Sequence, residues 1–288
     1  MSALMRLAAA FAAVLAGPLT AGPIELDGWT LQPVASCTAR AGRVAAHPTY
    51  DAAARADLAR DPMLSLKPDY YDMPAHLHFD LSACYGPSGL FDAGLRVLPV
   101  SDYLHILDDG RTPGTHMAKQ FDTLRHWLSG KPDAVAVWPL VPFLDMSPQF
   151  TVQRRALRFH GGRGIRVVTQ FVPDAGFATS GLVSYVFQGL SDDGRSFVLL
   201  TVPLTIDGAA ADGAREHLGF TLEQLDRNAA AAQRYERAVD ALLARSGTKP
   251  ALTELDALVE SLSNKTGQPG KSATDKQPAA EAATSVSK

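Results

Sequence analysis

Three groups of residues carry side chains that could do chemistry. The first is His76-x-His78-x-Asp80, in the run AHLHFDLS. Leu77, Phe79 and Leu81 alternate with these polar residues, which predicts a strand with one dry face and one wet face. Residues two apart on a strand point the same way, so two imidazoles and a carboxylate at this spacing could share a cation. The plainer reading is a solvated strand face, since no further His or Glu stands close in sequence to complete a metal site.

The second group is basic. Arg154, Arg155, Arg158, His160, Arg163 and Arg166 fall on one hairpin, and Arg158, Arg163 and Arg166 are the candidates for gripping an anionic ligand, a phosphorylated lipid or a partner's acidic patch. Arginines on an exposed sheet also pair with cross-strand acids or simply solvate the surface. The third group is Gln170, Tyr185 and Gln188, which with Thr169 could line a polar ligand pocket or supply hydrogen bonds that fix strand register. Cys37 and Cys84 are 47 positions apart and read as a disulfide, with two separate buried thiols as the alternative. Neither has a His or another activating group beside it in sequence, which argues against a catalytic thiol.

Several chemistries lack their parts. The chain has no G-x-S-x-G elbow, no P-loop, no G-x-G-x-x-G after a strand and no H-E-x-x-H. Gly161-Gly162-Arg163-Gly164 lies between strands, without the helix whose N-terminal amides would hold a phosphate. Lys plus Arg at 27 against Asp plus Glu at 30 gives a net charge of −3, so the excess of positive charge that holds nucleic acid is missing. No cofactor is implied.

These residues must be positioned by 288 residues that are 46% hydrophobic, enough for one substantial core. From Gln153 to Ile206, QRRALRF, GIRVVTQFV, LVSYVFQGL and RSFVLLTVPLTI follow one another, with Gly-containing turns at His160–Arg163 and Ser191–Gly194. That order predicts an antiparallel meander. Ile165, Val167 and Phe171 share a face with Thr169, whereas Val168 and Val172 lie opposite, so the sheet needs cover on both sides. Gly94–Val100 is a further strand candidate, and a helix opening at Thr115 carries Met117, Phe121, Leu124, Trp127 and Leu128 on one face before Gly130. Thr221 and Gln224 form a capping box for a helix to about Arg245, with Leu222, Leu225, Ala229, Ala232, Val239 and Leu242 on its stripe. Thr253 caps another, bearing Leu255, Leu258, Val259 and Leu262. The fold class is α+β, an antiparallel meander covered by helices on both faces.

Residues 1–21 read as a signal peptide: Arg6 precedes the apolar run Leu7–Gly17, about half the ~20 residues of a membrane span, and cleavage fits after Ala21 or Ala16. Residues 22–74 form a Pro-rich wrap with a short helix around Thr49–Asp61. Residues 75–263 form the α+β domain, and 264–288, poor in large apolar residues, a disordered tail. The expected location is the periplasm or outside the cell, with no transmembrane segment in the mature chain.

GLRVLPVSDYLHIL and the later LRFHGGRGIRVVTQFV with LVSYVFQGLSDDG resemble a family of uncharacterised bacterial exported proteins and lipoproteins. Gly164, Arg166, Thr169, Gln170, Tyr185, Phe187, Gln188, Gly189, Leu190, Asp193 and Gly194 match its pattern, and Ser191 stands where Thr is usual. The resemblance spans about Gly94–Leu204, with a further match at Leu252–Leu262, and implies no activity. This chain lacks the lipid-accepting Cys of many relatives. The order of elements also resembles PsbP-like domains, an analogy of fold alone. The reading favours a non-catalytic protein that binds an envelope component, an anionic ligand or a protein partner. The alternative is a metal-assisted hydrolase using His76, His78 and Asp80.

Overall fold

Antiparallel pairing of strands organises the chain, as the alternation predicts. The computed structural model describes residues 22–34, 37–46, 60, 73–86, 92–107, 116–130, 147–172 and 174–265. The first half contributes β1 (Ile24–Leu26), β2 (Trp29–Leu31), β3 (Arg40–Val44), β4 (His76–Asp80), the single turn α1 (Ser82–Tyr85), β5 (Gly94–Pro99), α2 (Val100–Leu107) and α3 (His116–Leu128). The second half runs β6 (Ser147–Phe159), β7 (Gly162–Val172), β8 (Val183–Ser191), β9 (Ser196–Pro203), β10 (Glu216–His217), β11 (Phe220–Thr221), α4 (Leu222–Arg227), α5 (Ala229–Ser246), α6 (Leu252–Glu260) and β12 (Ser263–Asn264). The leader, most of the helix around Thr49–Asp61, most of the Pro-rich link before β6 and residues 266–288 lie outside the described residues.

A seven-stranded sheet in the order β3-β4-β5-β9-β8-β7-β6 contains the meander as its last four strands. Residues 22–74, expected as a wrap on the core, also contribute β3, which pairs with β4 and forms one edge of the sheet. Its sequence, Arg-Ala-Gly-Arg-Val, has no alternating apolar pattern and gives no strand signal by itself. A second, three-stranded sheet in the order β1-β2-β12 joins the N-terminal hairpin to the end of the domain.

Both faces of the main sheet are covered. On the first face, Val168, Tyr185, Phe187, Val198 and Leu200 pack with Trp29, Leu31 and the apolar sides of α5 and α6. On the second, Ile165, Val167, Val186 and Leu199 pack with residues of α2 and α3. Phe121 of α3 stands edge-on to Tyr103 at 6.1 Å and to Phe197 at 5.4 Å, a favoured aromatic geometry.

The helices depart from expectation at three points. Thr221 and Gln224 do form the capping box, but their helix stops at Arg227. Asn228 is extended, and its side chain accepts from Ala231 N to start α5, so the expected single helix is two. Leu222 is exposed, while Ala231 and Tyr235 join the buried stripe. Ala251, not Thr253, precedes α6, with no side-chain cap. The predicted face of Leu255, Leu258, Val259 and Leu262 is buried, and Asp256 is buried with it.

Cys37 and Cys84 are joined, with Cα atoms 4.9 Å apart. Next to the bridge, Tyr85 donates to Glu254 of α6 at 3.1 Å, so the N-terminal segment, α1 and α6 are held at one place. The ordered fold also runs two residues beyond the expected end at Ser263. Asn264 N donates to His160 O and Lys265 N to Gly28 O, each at 2.9 Å, and Asn264 is buried. Side-chain pattern is blind to such backbone pairing. A chain ending at Leu262 is therefore expected to be about 1–3 kcal/mol less stable in urea titration than one ending at Lys265. Equal stabilities would contradict the place of residues 263–265 in the fold.

Candidate functional site

The Arg-rich hairpin is irregular at its outer strand. β6 has thirteen residues against eleven in β7, and its register shifts twice, between Pro148 and Thr151 and between Val152 and Arg155. Each shift inserts one extra residue, a bulge that turns backbone polar groups away from the ladder. At the second bulge Gln153 takes φ 54°, a left-handed conformation rare for a side-chain-bearing residue. Both its backbone groups find partners: Gln153 N donates to Asp240 Oδ1 at 3.2 Å, and Gln153 O accepts from Arg166 Nη1. Thr151 N donates to Glu236 Oε1 at 2.9 Å. Glu236 and Asp240 are four residues apart, on one face of α5.

Arg166 then reaches the buried carboxylate of Asp256. Its Nε donates to Oδ1 and its Nη2 to Oδ2, both at 3.1 Å, a fork on both oxygens. Tyr185 OH donates to Oδ1 at 3.0 Å and Arg155 Nη1 to Oδ2 at 2.9 Å. Burial, followed by the Asp256 charge, pushes the Tyr185 hydroxyl far above its ordinary pKa and keeps it a donor. Arg166 and Tyr185, expected as ligand contacts, thus have their polar groups engaged by the protein itself.

The expected cluster of Gln170, Tyr185 and Gln188 is not one pocket. Tyr185 and Gln188 are an odd number of residues apart on β8, so they point to opposite faces. Gln170 lies on the first face and staples the connection that follows β7, donating to Phe177 O and accepting from Thr179 N, each at 2.9 Å. Gln188 is buried on the second face, in the row of Val186 and Leu190.

Arg158 and Arg163 behave differently from Arg166. They are direct register partners, both exposed, and neither forms an ion pair or side-chain hydrogen bond among the described residues. Arg154 nearby lies over the Trp127 ring at 5.2 Å.

His76, His78 and Asp80 share the second face of β4, as their spacing predicts, but the face is not wet. His76 is 5% exposed and His78 9%, which corrects the solvated reading. Asp80 Oδ1 accepts from Ser82 N at 2.9 Å, and His76 Nδ1 contacts Pro74 O at 2.9 Å. Among the described residues no three His, Cys, Asp or Glu side chains are grouped to hold a metal ion. The register partner of His78 is Arg96, which brings a cation where a metal would need a ligand.

Asp256, Glu236, Asp240 and Arg96 were not among the expected site residues. The signal for Asp256 was available: a carboxylate on a helix stripe otherwise made of Leu255, Leu258 and Val259 needs a buried cation. The chain matches no family model, no curated protein and no solved structure, so the site is read from its own geometry.

Burial, then the Arg96 and His76 charges, pushes the His78 pKa down to about 2, and burial lowers that of His76. Asp80 and Asp92 are the acids beside Arg96 in this group. In the unfolded chain both imidazoles take up protons near pH 6.5. Their contribution is therefore whole above pH 6.5 and is lost as the pH falls below it, at up to about 1.4 kcal/mol per pH unit for each imidazole. The stability of His78→Gln should show a shallower pH dependence between pH 6.5 and 5 than that of the parent protein. Identical slopes in urea titrations would contradict the neutral, buried state of His78.

Proposed function

We propose that this protein is an exported, non-catalytic binding protein that captures an anionic group on a cell-envelope component, ligand or partner protein through Arg158 and Arg163. One observation carries the reading: two guanidinium side chains stand directly opposite each other on adjacent strands, exposed, with no acid paired to either among the described residues. Like charges in this relation destabilise a sheet, and an anion held between them would turn repulsion into two charge-assisted hydrogen bonds. The neighbouring arginines lack that freedom, because Arg155 and Arg166 serve Asp256.

Export is supported by the Cys37–Cys84 bridge, which suits an oxidising compartment, and by the apolar run at Leu7–Gly17. Among the described residues no helix is long and apolar enough to cross a membrane.

Tripolyphosphate serves as a probe of the arginine pair. Binding by the full chain should weaken about tenfold, ~1.4 kcal/mol, in Arg158→Ala with Arg163→Ala. The thermal midpoint should stay level or rise, because exposed arginines of like charge add little to stability. Undiminished binding by the folded double variant would remove the pair from the proposed site.

A further inference from the structure

A second cation lies deep in the protein, on the half of the sheet away from the meander's hairpin. Arg96 of β5 is 4% exposed, yet it forms no ion pair among the described residues. Its one hydrogen bond there is a long one, from Nη1 to Thr201 Oγ1 at 3.4 Å. A guanidinium has five N–H donors, and although Asp80 and Asp92 lie beside it, neither forms an ion pair with it among the described residues, so most of its donors lack an acceptor there.

The neighbours repeat the pattern. His78 is the register partner of Arg96 on the same face, and its Nε2 is buried with no hydrogen-bond partner among the described residues. The ring lies against Gly94, where a Cβ would come within 2.4 Å of Nε2. Only glycine at position 94 leaves room for the imidazole to lie there. Thr201, on the other side of Arg96, is also buried, and its hydroxyl lies 3.4 Å from Asp92 O. The apolar residues packed with α2 and α3 occupy the adjoining part of this face, including Leu98, Phe197 and Leu199. The floor is therefore polar on one side and apolar on the other.

We propose that this floor is a binding site for a small organic carboxylate, with the Arg96 guanidinium as its anchor and His78 Nε2 as a second donor. Charge selects the class. Asp80 and Asp92 already place negative charge beside Arg96, so a monoanion is tolerated there better than a phosphate dianion. The apolar residues beside the floor suit the hydrocarbon end of such a ligand. The site is separate from Arg158 and Arg163, and stands or falls independently of them.

The test is a titration of the full, isotope-labelled chain with propionate, and in parallel with inorganic phosphate, following arginine Nε–H and imidazole resonances by NMR. The expected result is a saturable shift of the Arg96 Nε–H and His78 ring signals with propionate, and none of comparable size with phosphate. Thr201→Val should weaken the propionate response severalfold, and Arg96→Met should abolish it, while Arg163→Ala leaves it intact. The wild-type titration decides the matter even if Arg96→Met does not fold. No saturable propionate shift, a stronger response to phosphate, or an undiminished response in folded Arg96→Met would each overturn the proposal.

Discussion

The structure depends on one buried ion pair, the fork of Arg166 on Asp256. Taking two charges out of water is costly, and the cost is recovered only where geometry is good and the remaining lone pairs are bonded. Here both carboxylate oxygens accept twice, from Arg166 Nε and Tyr185 on one side and from Arg166 Nη2 and Arg155 on the other. The same guanidinium donates to Gln153 O, whose N–H is held by Asp240 of α5. One side chain therefore fixes the bulge of β6, the register of β6 on β7 and the docking of α6. Edge strands with unpaired backbone invite association, and here helix carboxylates occupy donors at the bulged edge.

This arrangement divides the basic hairpin by function. Parity along β7 sends Arg166 inward to the first face and Arg163 to the second, where it meets Arg158. A run that looks like one cationic patch in sequence is thus a structural anchor plus an exposed pair. The Gln residues divide in the same way, Gln170 holding the connection after β7 and Gln188 lying on the opposite face.

Much of the fold was legible because burial imposes a period. The meander strands, the helix at Phe121–Trp127 and the face of Leu255, Leu258, Val259 and Leu262 all carry that signature. β3 and the residues after Ser263 were not legible, because backbone pairing fixes them and side-chain pattern does not. The candidate sites were legible by type more than by partner. Spacing placed His76, His78 and Asp80 on one face, but which strand lies opposite is a property of topology, and it is topology that brings Arg96 to His78. Arg166 read as free for a ligand because its acid stands ninety positions away on another element.

A double-mutant cycle on Arg166 and Asp256, by urea denaturation of Arg166→Met, Asp256→Leu and the double variant, tests the central claim most directly. If this pair locks the meander to the C-terminal helix, each single variant leaves one buried charge unpaired and loses about 3–5 kcal/mol. The double variant should then lose much less than their sum, a coupling of at least about 2 kcal/mol. Additive losses would show that the two side chains are neighbours without being the lock.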